Sequence, residues 1–367
     1  MREHKRGCLL IPYYLLIAVP VLLRAISKKY RFTAGNKLLY ETQTSSIDAF
    51  MLIFLLLLAL RGVQCGIDTR QYMRLFNEYS GHSISQLMGS YRHEFGYKLL
   101  NWLVAALSGG YQMLLAVTAA ICVLPLWHFY RRESDNQLLT VALFLTVAPF
   151  VMYFSGIRQA MAMSMGVFVW YSVKKKNLIL YAAIGLLAMQ FHRSAFMLFL
   201  LYPLYHMNIT KKKLLFIIPG IIAVFVFRTA IFQFLFTLLW EEYSITSATG
   251  ATTVLMLLVI FGVYCYVIPD SRKLDKDTSA LRNILILSIV IQVFAMLHPL
   301  SMRMNYYFLI FIPVLIPRIA NRSKEKYKQI AKLSEVVMTV YFIYYFLMNG
   351  IRDNDGLNIF PYIPFWK

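Results

Sequence analysis

The sequence predicts an all-α, polytopic integral membrane protein with about 11–13 transmembrane or re-entrant helices and short loops. Of its 367 residues, 59% are hydrophobic and 15% are charged, whereas a typical soluble domain has about 45–50% apolar and about 25% charged residues. The mean hydropathy of +0.59 points the same way. This composition excludes soluble enzymes, disordered chains and collagen-like chains.

Apolar runs that cross or nearly cross the ~30 Å hydrocarbon core of a bilayer recur along the chain. They are Cys8–Leu23, Ile47–Leu60, Tyr111–Tyr130, Gln137–Phe154, Gln159–Val173, Leu178–Phe191, Ala195–Tyr205, Leu214–Leu239, Thr252–Ile268, Asn283–Leu297, Asn305–Ile319 and Leu333–Met348. A further helix, Phe95–Leu107, ends at two glycines and is predicted to be re-entrant or interfacial.

We predict three parts of the chain. Residues 1–46 form an N-terminal segment with one weak span and a basic cytoplasmic loop. Residues 47–349 form the polytopic membrane domain, and residues 350–367 form a short aromatic tail on the outer face.

Two lysine triplets, at 174–176 and 211–213, decide the topology of Leu178–Tyr205. A single helix would place one triplet on each side of the membrane and put His192 and Arg193 at its centre. One arginine at the centre of a membrane-spanning helix costs about 2.5–3.5 kcal/mol on membrane-insertion scales. We therefore predict a hairpin with both triplets in the cytoplasm and the two polar residues at its outer tip.

The charge distribution supports this topology. The net charge is +20, but the basic residues stand in short clusters between apolar runs, which indicates a membrane rather than nucleic acid as the partner. With the hairpin placed, 23 of the 37 Lys and Arg residues fall in predicted cytoplasmic segments, as the positive-inside rule requires. The four cysteines have no CxxC spacing, so neither a disulfide framework nor a zinc site is expected.

Basic residues on the predicted outer face oppose the positive-inside rule and need another cause, for which we predict an anionic ligand. Arginine binds phosphate oxygens through paired hydrogen bonds and does not lose its proton. The basic residues concerned are Arg61, Arg158, Arg193 and Arg303, and Asp68, Glu94 and His192 lie on the same predicted face.

Five short motifs contain these residues: RGVQCGIDTRQYMRLF at Arg61–Phe76, EFGY at Glu94–Tyr97, FSGIRQAMAMS at Phe154–Ser164, FHRSA at Phe191–Ala195 and RMNYYF at Arg303–Phe308. In this order and spacing they resemble the EpsG-type members of the Wzy polysaccharide polymerases, over about 47–348. The N-terminal segment lies outside the motifs, and the outer loops are shorter than those of many other Wzy proteins.

The resemblance implies an O-antigen, capsule or exopolysaccharide polymerase in the bacterial cytoplasmic membrane, with its active site facing the periplasm or exterior. Such an enzyme transfers a growing glycan from undecaprenyl diphosphate onto a new lipid-linked oligosaccharide repeat unit. The donor is already activated, so no cofactor and no metal are expected. The implied partners are that lipid-linked oligosaccharide and the bilayer, with a chain-length regulator and a flippase as further candidates, and no nucleic acid.

The site residues implied by the motifs fall into two groups. Asp68 and His192 are the candidates for catalysis, since the acceptor hydroxyl must lose a proton, and the residues alone do not choose between them. The substrate-binding candidates are Arg61, Tyr72, Glu94, Arg158, Gln159, Arg193, Arg303 and Tyr307.

Alternatives remain open for single residues and for the whole chain. Arg158 and Arg193 could snorkel to the membrane surface, and Asp68 could cap a loop or pair with Arg70. The aromatic tail is expected to be an interfacial belt rather than a sugar-stacking surface. The competing functions are O-antigen-ligase-type glycan transfer and a non-catalytic transporter or flippase of lipid-linked sugars. The transporter interpretation predicts internal repeats and polar residues at the midplane, neither of which the sequence shows.

Overall fold

A computed structural model describes residues 2–26, 29–34, 37–43, 45–89, 93–239, 245–352 and 358–367. The α-helices of these ranges are α1 (Arg2–Ile26), α2 (Ser46–Leu60), α3 (Thr69–Ser80), α4 (Ile84–Gly89), α5 (Phe95–Ala106), α6 (Tyr111–Glu133), α7 (Gln137–Thr146), α8 (Met152–Ser155), α9 (Ile157–Lys174), α10 (Leu178–Met189), α11 (Leu201–His206), α12 (Lys211–Val226), α13 (Arg228–Leu239), α14 (Ala251–Val267), α15 (Lys276–Ala295), α16 (Pro299–Leu309), α17 (Ile312–Asn321) and α18 (Lys328–Arg352). The predicted all-α polytopic class is confirmed.

Short elements complete the fold. Three 3₁₀ helices occupy Arg193–Leu200, Ser271–Lys273 and Glu325–Tyr327. Strands β1 (Lys29–Ala34) and β2 (Lys37–Gln43) pair antiparallel, with Lys29 opposite Gln43 and Phe32 opposite Tyr40. This β-hairpin lies in the segment for which the sequence predicted only a basic cytoplasmic loop.

Only some of the helices in the described ranges are long and apolar enough to cross a membrane alone. Three qualify: Tyr111–Glu133, Lys276–Ala295 and Glu325–Asn349. Two bent pairs, α12 with α13 at 74° and α16 with α17 at 48°, raise the number to five if each pair is one span. Shorter apolar helices, such as α2, α7 and α10, account for most of the other predicted spans.

Two predicted spans are broken in the structure for visible reasons. The predicted run Gln137–Phe154 stops being helical after Thr146, three residues before Pro149, because proline disfavours the α conformation in the residue before it. The predicted run Leu214–Leu239 bends between α12 and α13. Arg228 lies at this bend, where its guanidinium donates a 2.6 Å hydrogen bond to the carbonyl oxygen of Phe225.

Helix α9 lies in the core, and its small residues let neighbouring elements approach closely. Ala160, Ala162 and Ser164 are fully buried. A Cβ atom placed on Gly166 would come within 2.9 Å of Cδ2 of Leu198. The small residues of α9 therefore allow close packing against the 3₁₀ helix that follows α10.

The segment Leu178–Tyr205 is a hairpin. Helix α10 and the 3₁₀ helix after it run side by side, and the Tyr181 hydroxyl donates a 2.7 Å hydrogen bond to the Phe199 carbonyl. At the far end, Lys174 and Tyr205 both contact the Asp277 carboxylate, the tyrosine at 2.8 Å. The chain thus enters and leaves the hairpin at one end of the molecule, and His192 lies at the other.

Ion pairs tie helices together at the end where the hairpin begins. The Arg318 guanidinium pairs with Glu133, joining α17 to α6. Arg322 bridges Asp135 and Asp275, at 2.7 Å each. Each of these acidic groups has a basic partner within the protein, so the ion pairs link the helices at this end of the bundle.

The C-terminal tail packs into the bundle. The Tyr13 hydroxyl donates a 2.6 Å hydrogen bond to the Ile359 carbonyl, and the Gly62 backbone N–H donates a 2.7 Å bond to the Ile363 carbonyl. Phe360 and Tyr362 are buried, whereas Trp366 is 62% exposed. Only the end of the tail has the exposure that an interfacial aromatic belt requires.

A cysteine-labelling experiment tests the sidedness of the hairpin. In a cysteine-free background, Arg193→Cys and Lys175→Cys each place one thiol at an exposed position, at opposite ends of α10. We expect a membrane-impermeant maleimide to label Arg193→Cys in intact cells and Lys175→Cys only after the membrane is opened, because a ~14-residue arm carries the tip away from the lysine triplet. Equal labelling of both in intact cells would contradict the topology.

Candidate functional site

The candidate site is formed where separate elements meet at the hairpin tip. Its charged side chains come from the residue before α5 (Glu94), from the first turn of α9 (Arg158), from the turn after α10 (His192 and Arg193) and from α16 (Arg303). The structure thus brings together residues from motifs that are far apart in the sequence, as expected from their shared position on the predicted outer face.

Glu94 holds two of these elements. Its Oε2 atom accepts a hydrogen bond from Nη1 of Arg158 in an ion pair, and its Oε1 atom accepts one from the Arg193 backbone N–H at 3.1 Å. Burial raises the pKa of the Glu94 carboxyl, but the Arg158 charge and the hydrogen bonds from backbone N–H groups outweigh it and lower the pKa below its ordinary value. Glu94 is therefore ionised at neutral pH and positions its partners.

Arg158 retains hydrogen-bonding capacity beyond this ion pair. Its guanidinium lies 5.9 Å from the centre of the Tyr97 ring, and the ring of Tyr72 meets that of Tyr97 edge-on at 5.8 Å. Its Nε atom is buried without a hydrogen-bond partner among the residues that the structure describes. A buried N–H without an acceptor costs free energy, so this donor is suited to an oxygen that the protein does not supply.

The remaining arginines of the site are exposed. Arg193 and Arg303 both present their side chains to solvent, and within the described ranges the Arg303 guanidinium has no hydrogen bond or ion pair. Together with Arg158 they give the site three arginines, against the two carboxylates of Glu94 and Asp68. Among the described residues, the Arg158 guanidinium is the one that pairs with Glu94. The site therefore has an excess of positive charge.

His192 is hydrogen-bonded through one ring nitrogen. Its Nδ1 atom lies 2.6 Å from Oγ of Ser194, which lies 3.0 Å from the hydroxyl of Tyr307. Burial, and then the charges of Arg158 and Arg303, lower the pKa of His192 to about 4, against the opposing effect of Glu94. The imidazole is therefore neutral at pH 7.

Gln159 and Asp68 have different surroundings. The Gln159 side chain is buried and donates a 2.6 Å hydrogen bond to the Arg303 backbone carbonyl, so it ties α9 to α16. Asp68 precedes α3 and is half-buried. Its carboxylate acts electrostatically on Tyr72 and has no hydrogen bond or ion pair with any described residue.

Arg61 is not brought into this cluster. It is 1% exposed, donates a 2.9 Å hydrogen bond to the Leu58 carbonyl at the end of α2, and lies 5.8 Å from the Phe154 ring centre. A guanidinium at a helix C-terminus is favourably placed against the partial negative charge there. Its substrate-binding role stays a prediction.

Sequence reasoning missed two residues that shape the site. Tyr97 is fully buried beneath Arg158, and Ser194 links His192 to Tyr307. Tyr97 lies in the EFGY motif and Ser194 in the FHRSA motif. Tyr97 could have been predicted from its spacing, because it follows Glu94 by three residues at the start of a helix and residues i and i+3 share a helix face.

Two glycines allow the chain to approach itself near the site. A Cβ atom on Gly96 would lie 2.8 Å from the Gln190 carbonyl oxygen, the atom that accepts the Tyr97 backbone N–H at 3.2 Å. Gly66 has a φ of +101° and lies against the Phe154 backbone. A side chain at either position would push apart segments that bring the site residues together.

Among the described residues, no group of three or more His, Cys, Asp or Glu residues is placed to hold a metal ion.

Comparison with known proteins decides the family. The EpsG family model matches residues 49–363. The chain belongs to the EpsG family. The resemblance drawn from the five motifs is thereby confirmed, and membership in the EpsG family supports a glycosyltransferase-like, polysaccharide-polymerase role for a multi-pass membrane protein. Neither the curated proteins nor the solved structures gave a match to this chain.

Substitution of Gly96 tests the close approach that positions Glu94. We expect Gly96→Ala to destabilise the protein by about 1–3 kcal/mol, the usual cost of forcing atoms into a packed region, because its Cβ would press on the Gln190 backbone. The measurement is thermal unfolding of the purified protein in detergent. Gly89→Ala is the control, since no described residue lies within 4 Å of its Cβ position, and equal melting temperatures for the two variants would contradict the close approach.

Proposed function

We propose that this protein polymerises undecaprenyl-diphosphate-linked oligosaccharide repeat units on the outer face of the cytoplasmic membrane. The observation that carries the proposal is the Arg158–Glu94 ion pair, with the Arg303 charge acting on the neighbouring His192 and a buried Arg158 N–H that lacks an acceptor among the described residues. A diphosphate group supplies both the negative charge and the acceptor oxygens that this cluster lacks.

The reaction exchanges one carbon–oxygen bond for another. A hydroxyl oxygen of the lipid-linked acceptor unit attacks the anomeric carbon of the growing glycan, and the bond from that carbon to the diphosphate oxygen breaks. The acceptor hydroxyl loses its proton to a base of the site. Undecaprenyl diphosphate leaves with the electron pair, and the glycan is longer by one repeat unit.

Arginine contributes most where charge accumulates. Negative charge builds on the departing diphosphate in the transition state, and fixed cationic donors stabilise it most in a site from which water is partly excluded. Arg158 is suited to this role because Glu94 fixes one edge of its guanidinium and leaves Nε free. Arg193 and Arg303 are free to close on the ligand from the solvent side.

The position of the cluster supports the outer placement. His192 lies at the hairpin tip, and the lysine triplets lie at the opposite end with the ion pairs of Glu133 and Asp277. The positive-inside rule favours that basic end for the cytoplasm. The site would then face the leaflet in which a lipid-linked acceptor presents its sugar.

Conservative replacement of arginine tests the diphosphate site. We expect Arg158→Lys and Arg303→Lys to reduce polymer formation almost as much as the alanine variants, by about 10²-fold for a lost transition-state donor. Lysine keeps the charge but loses the planar, paired donors. The measurement is glycan polymer length and yield in a strain that lacks the native gene and carries each variant at matched protein level.

The control is Arg272→Lys, which changes an 89% exposed arginine in the loop before α15. It should leave the polymer unchanged. Full-length polymer from both Arg158→Lys and Arg303→Lys would refute the site and leave these arginines as membrane anchors, because lysine snorkels as well as arginine does.

A double-mutant cycle tests whether Glu94 acts through Arg158. We expect Glu94→Gln to lower the initial polymerisation rate by about 10²-fold, because a small misplacement of a substrate-orienting group has a cost of this size. Glu94→Gln and Arg158→Lys should not be additive, since they disrupt one ion pair, and the coupling should be about 0.5–3 kcal/mol. The control is Glu325→Gln, which changes an 80% exposed glutamate that pairs with Lys328. Additive effects of the first two changes would show that Glu94 works separately.

A further inference from the structure

A three-residue hydrogen-bond chain fixes the orientation of the histidine in the candidate site. His192 Nδ1 lies 2.6 Å from the Ser194 hydroxyl oxygen, and that oxygen lies 3.0 Å from the Tyr307 hydroxyl. Ser194 is 8% exposed and Tyr307 is fully buried. The chain joins the turn after α10 to α16, so two elements hold the imidazole in place.

Counting protons along this chain sets the direction of its hydrogen bonds. A hydroxyl carries one proton, and a buried phenol that does not donate this proton pays a desolvation cost. Within the described ranges, the Tyr307 hydroxyl has Ser194 as its partner and no other, so it donates to the Ser194 oxygen. Ser194 is buried as well, so leaving its own proton undonated has the same cost. It therefore donates this proton to its remaining neighbour, Nδ1 of His192, which accepts it.

We propose that Ser194 and Tyr307 hold His192 in the tautomer whose proton is on Nε2, and that this N–H donates a hydrogen bond to an oxygen of the bound diphosphate. This assignment rests on the proposed function for the identity of the ligand. In this arrangement, His192 is an anion-binding donor and not the proton acceptor of the reaction. Ser194 and Tyr307 are positioning residues that act through the imidazole.

The surroundings of His192 agree with a donor role. The charged groups that face it are Arg158 from α9, Arg303 from α16 and Glu94 from the segment before α5. A base would become an imidazolium beside two guanidinium groups, which like-charge repulsion opposes. A neutral imidazole keeps one N–H, and Nε2 has no protein partner in the part of the chain that the structure describes.

The assignment leaves Asp68 as the remaining candidate for the base. Asp68 is half-buried and its carboxylate has no hydrogen bond or ion pair with a described residue. The two catalytic candidates predicted from the sequence thus have different roles. The Asp68 carboxylate is free to take up a proton, whereas His192 donates through Nε2 because its Nδ1 already accepts a hydrogen bond.

Nitrogen-15 NMR of the full-length protein in nanodiscs, labelled on histidine, tests the tautomer without any polymerase assay. The His192 signals are assigned by their loss in His192→Gln. We expect at pH 7 a protonated Nε2 and an unprotonated Nδ1, and a mixture of tautomers in Ser194→Ala. A protonated Nδ1 in the wild-type protein would overturn the proposal, as would an unchanged spectrum in Ser194→Ala.

The matched control is Ser164→Ala. Ser164 is buried and its hydroxyl lies 3.3 Å from the buried Tyr153 hydroxyl, so it forms a serine–tyrosine pair away from His192. This variant should leave the His192 signals in place. A comparable shift in Ser164→Ala would show that loss of packing, rather than loss of the Ser194 proton, changes the tautomer.

Polymerisation rates test the donor role. The amide of His192→Gln supplies an N–H near the Nε2 position but cannot take up a proton at pH 7. We expect His192→Gln to retain a rate within about 10-fold of wild type and His192→Ala to lose about 10²–10³-fold, as for removal of one anion-stabilising donor. Equal loss in the two variants would reject the donor role.

If the wild-type protein itself forms no polymer from lipid-linked units, the proposed function fails, while the NMR result still decides the tautomer.

Discussion

The Glu94 carboxylate is the acceptor on which the candidate site depends. It binds a guanidinium from α9 through one oxygen and a backbone N–H from the hairpin tip through the other. These partners offset the cost of partly burying the charge of the carboxylate. The same interaction therefore satisfies Glu94, orients Arg158 and fixes the turn that carries His192. The chemistry of the site and the packing of three elements are not separable here.

Charge is distributed differently at the two ends of the bundle. Near the lysine triplets, Glu133, Asp135, Asp275 and Asp277 all have basic partners, so that end is internally compensated. In the candidate site, the three arginines outnumber the two acidic residues, Glu94 and Asp68, and the Arg158 Nε lacks an acceptor among the described residues. A polytopic chain can hold its helices with neutral packing alone. An uncompensated cluster at one end is better explained by a ligand that supplies the missing negative charge.

The apolar scaffold positions this cluster through close backbone approach. Gly96 meets the Gln190 backbone, and Gly166 meets Leu198 on the 3₁₀ helix after the turn. These contacts hold α5, α9 and the hairpin close together, so that side chains of the three elements can form hydrogen bonds. Local breaks serve the same end, since α10 stops at Met189 and the chain reverses at His192. Short, interrupted helices leave polar side chains at helix ends, where the proposed diphosphate ligand would reach them.

Hydropathy and charge asymmetry are properties of consecutive residues, so the membrane class, the apolar segments, the hairpin between the lysine triplets and the family motifs could be predicted from the sequence. Which motif residues meet in the site depends on the packing of distant segments. The tertiary structure placed Arg61 at the end of α2, away from the cluster, and turned Gln159 toward a backbone carbonyl. It also bent two of the predicted spans and added a β-hairpin. Side-chain direction at a helix end depends on the turn before it and on neighbours more than 60 residues away, such as Glu94 for Arg158. No local pattern encodes that information.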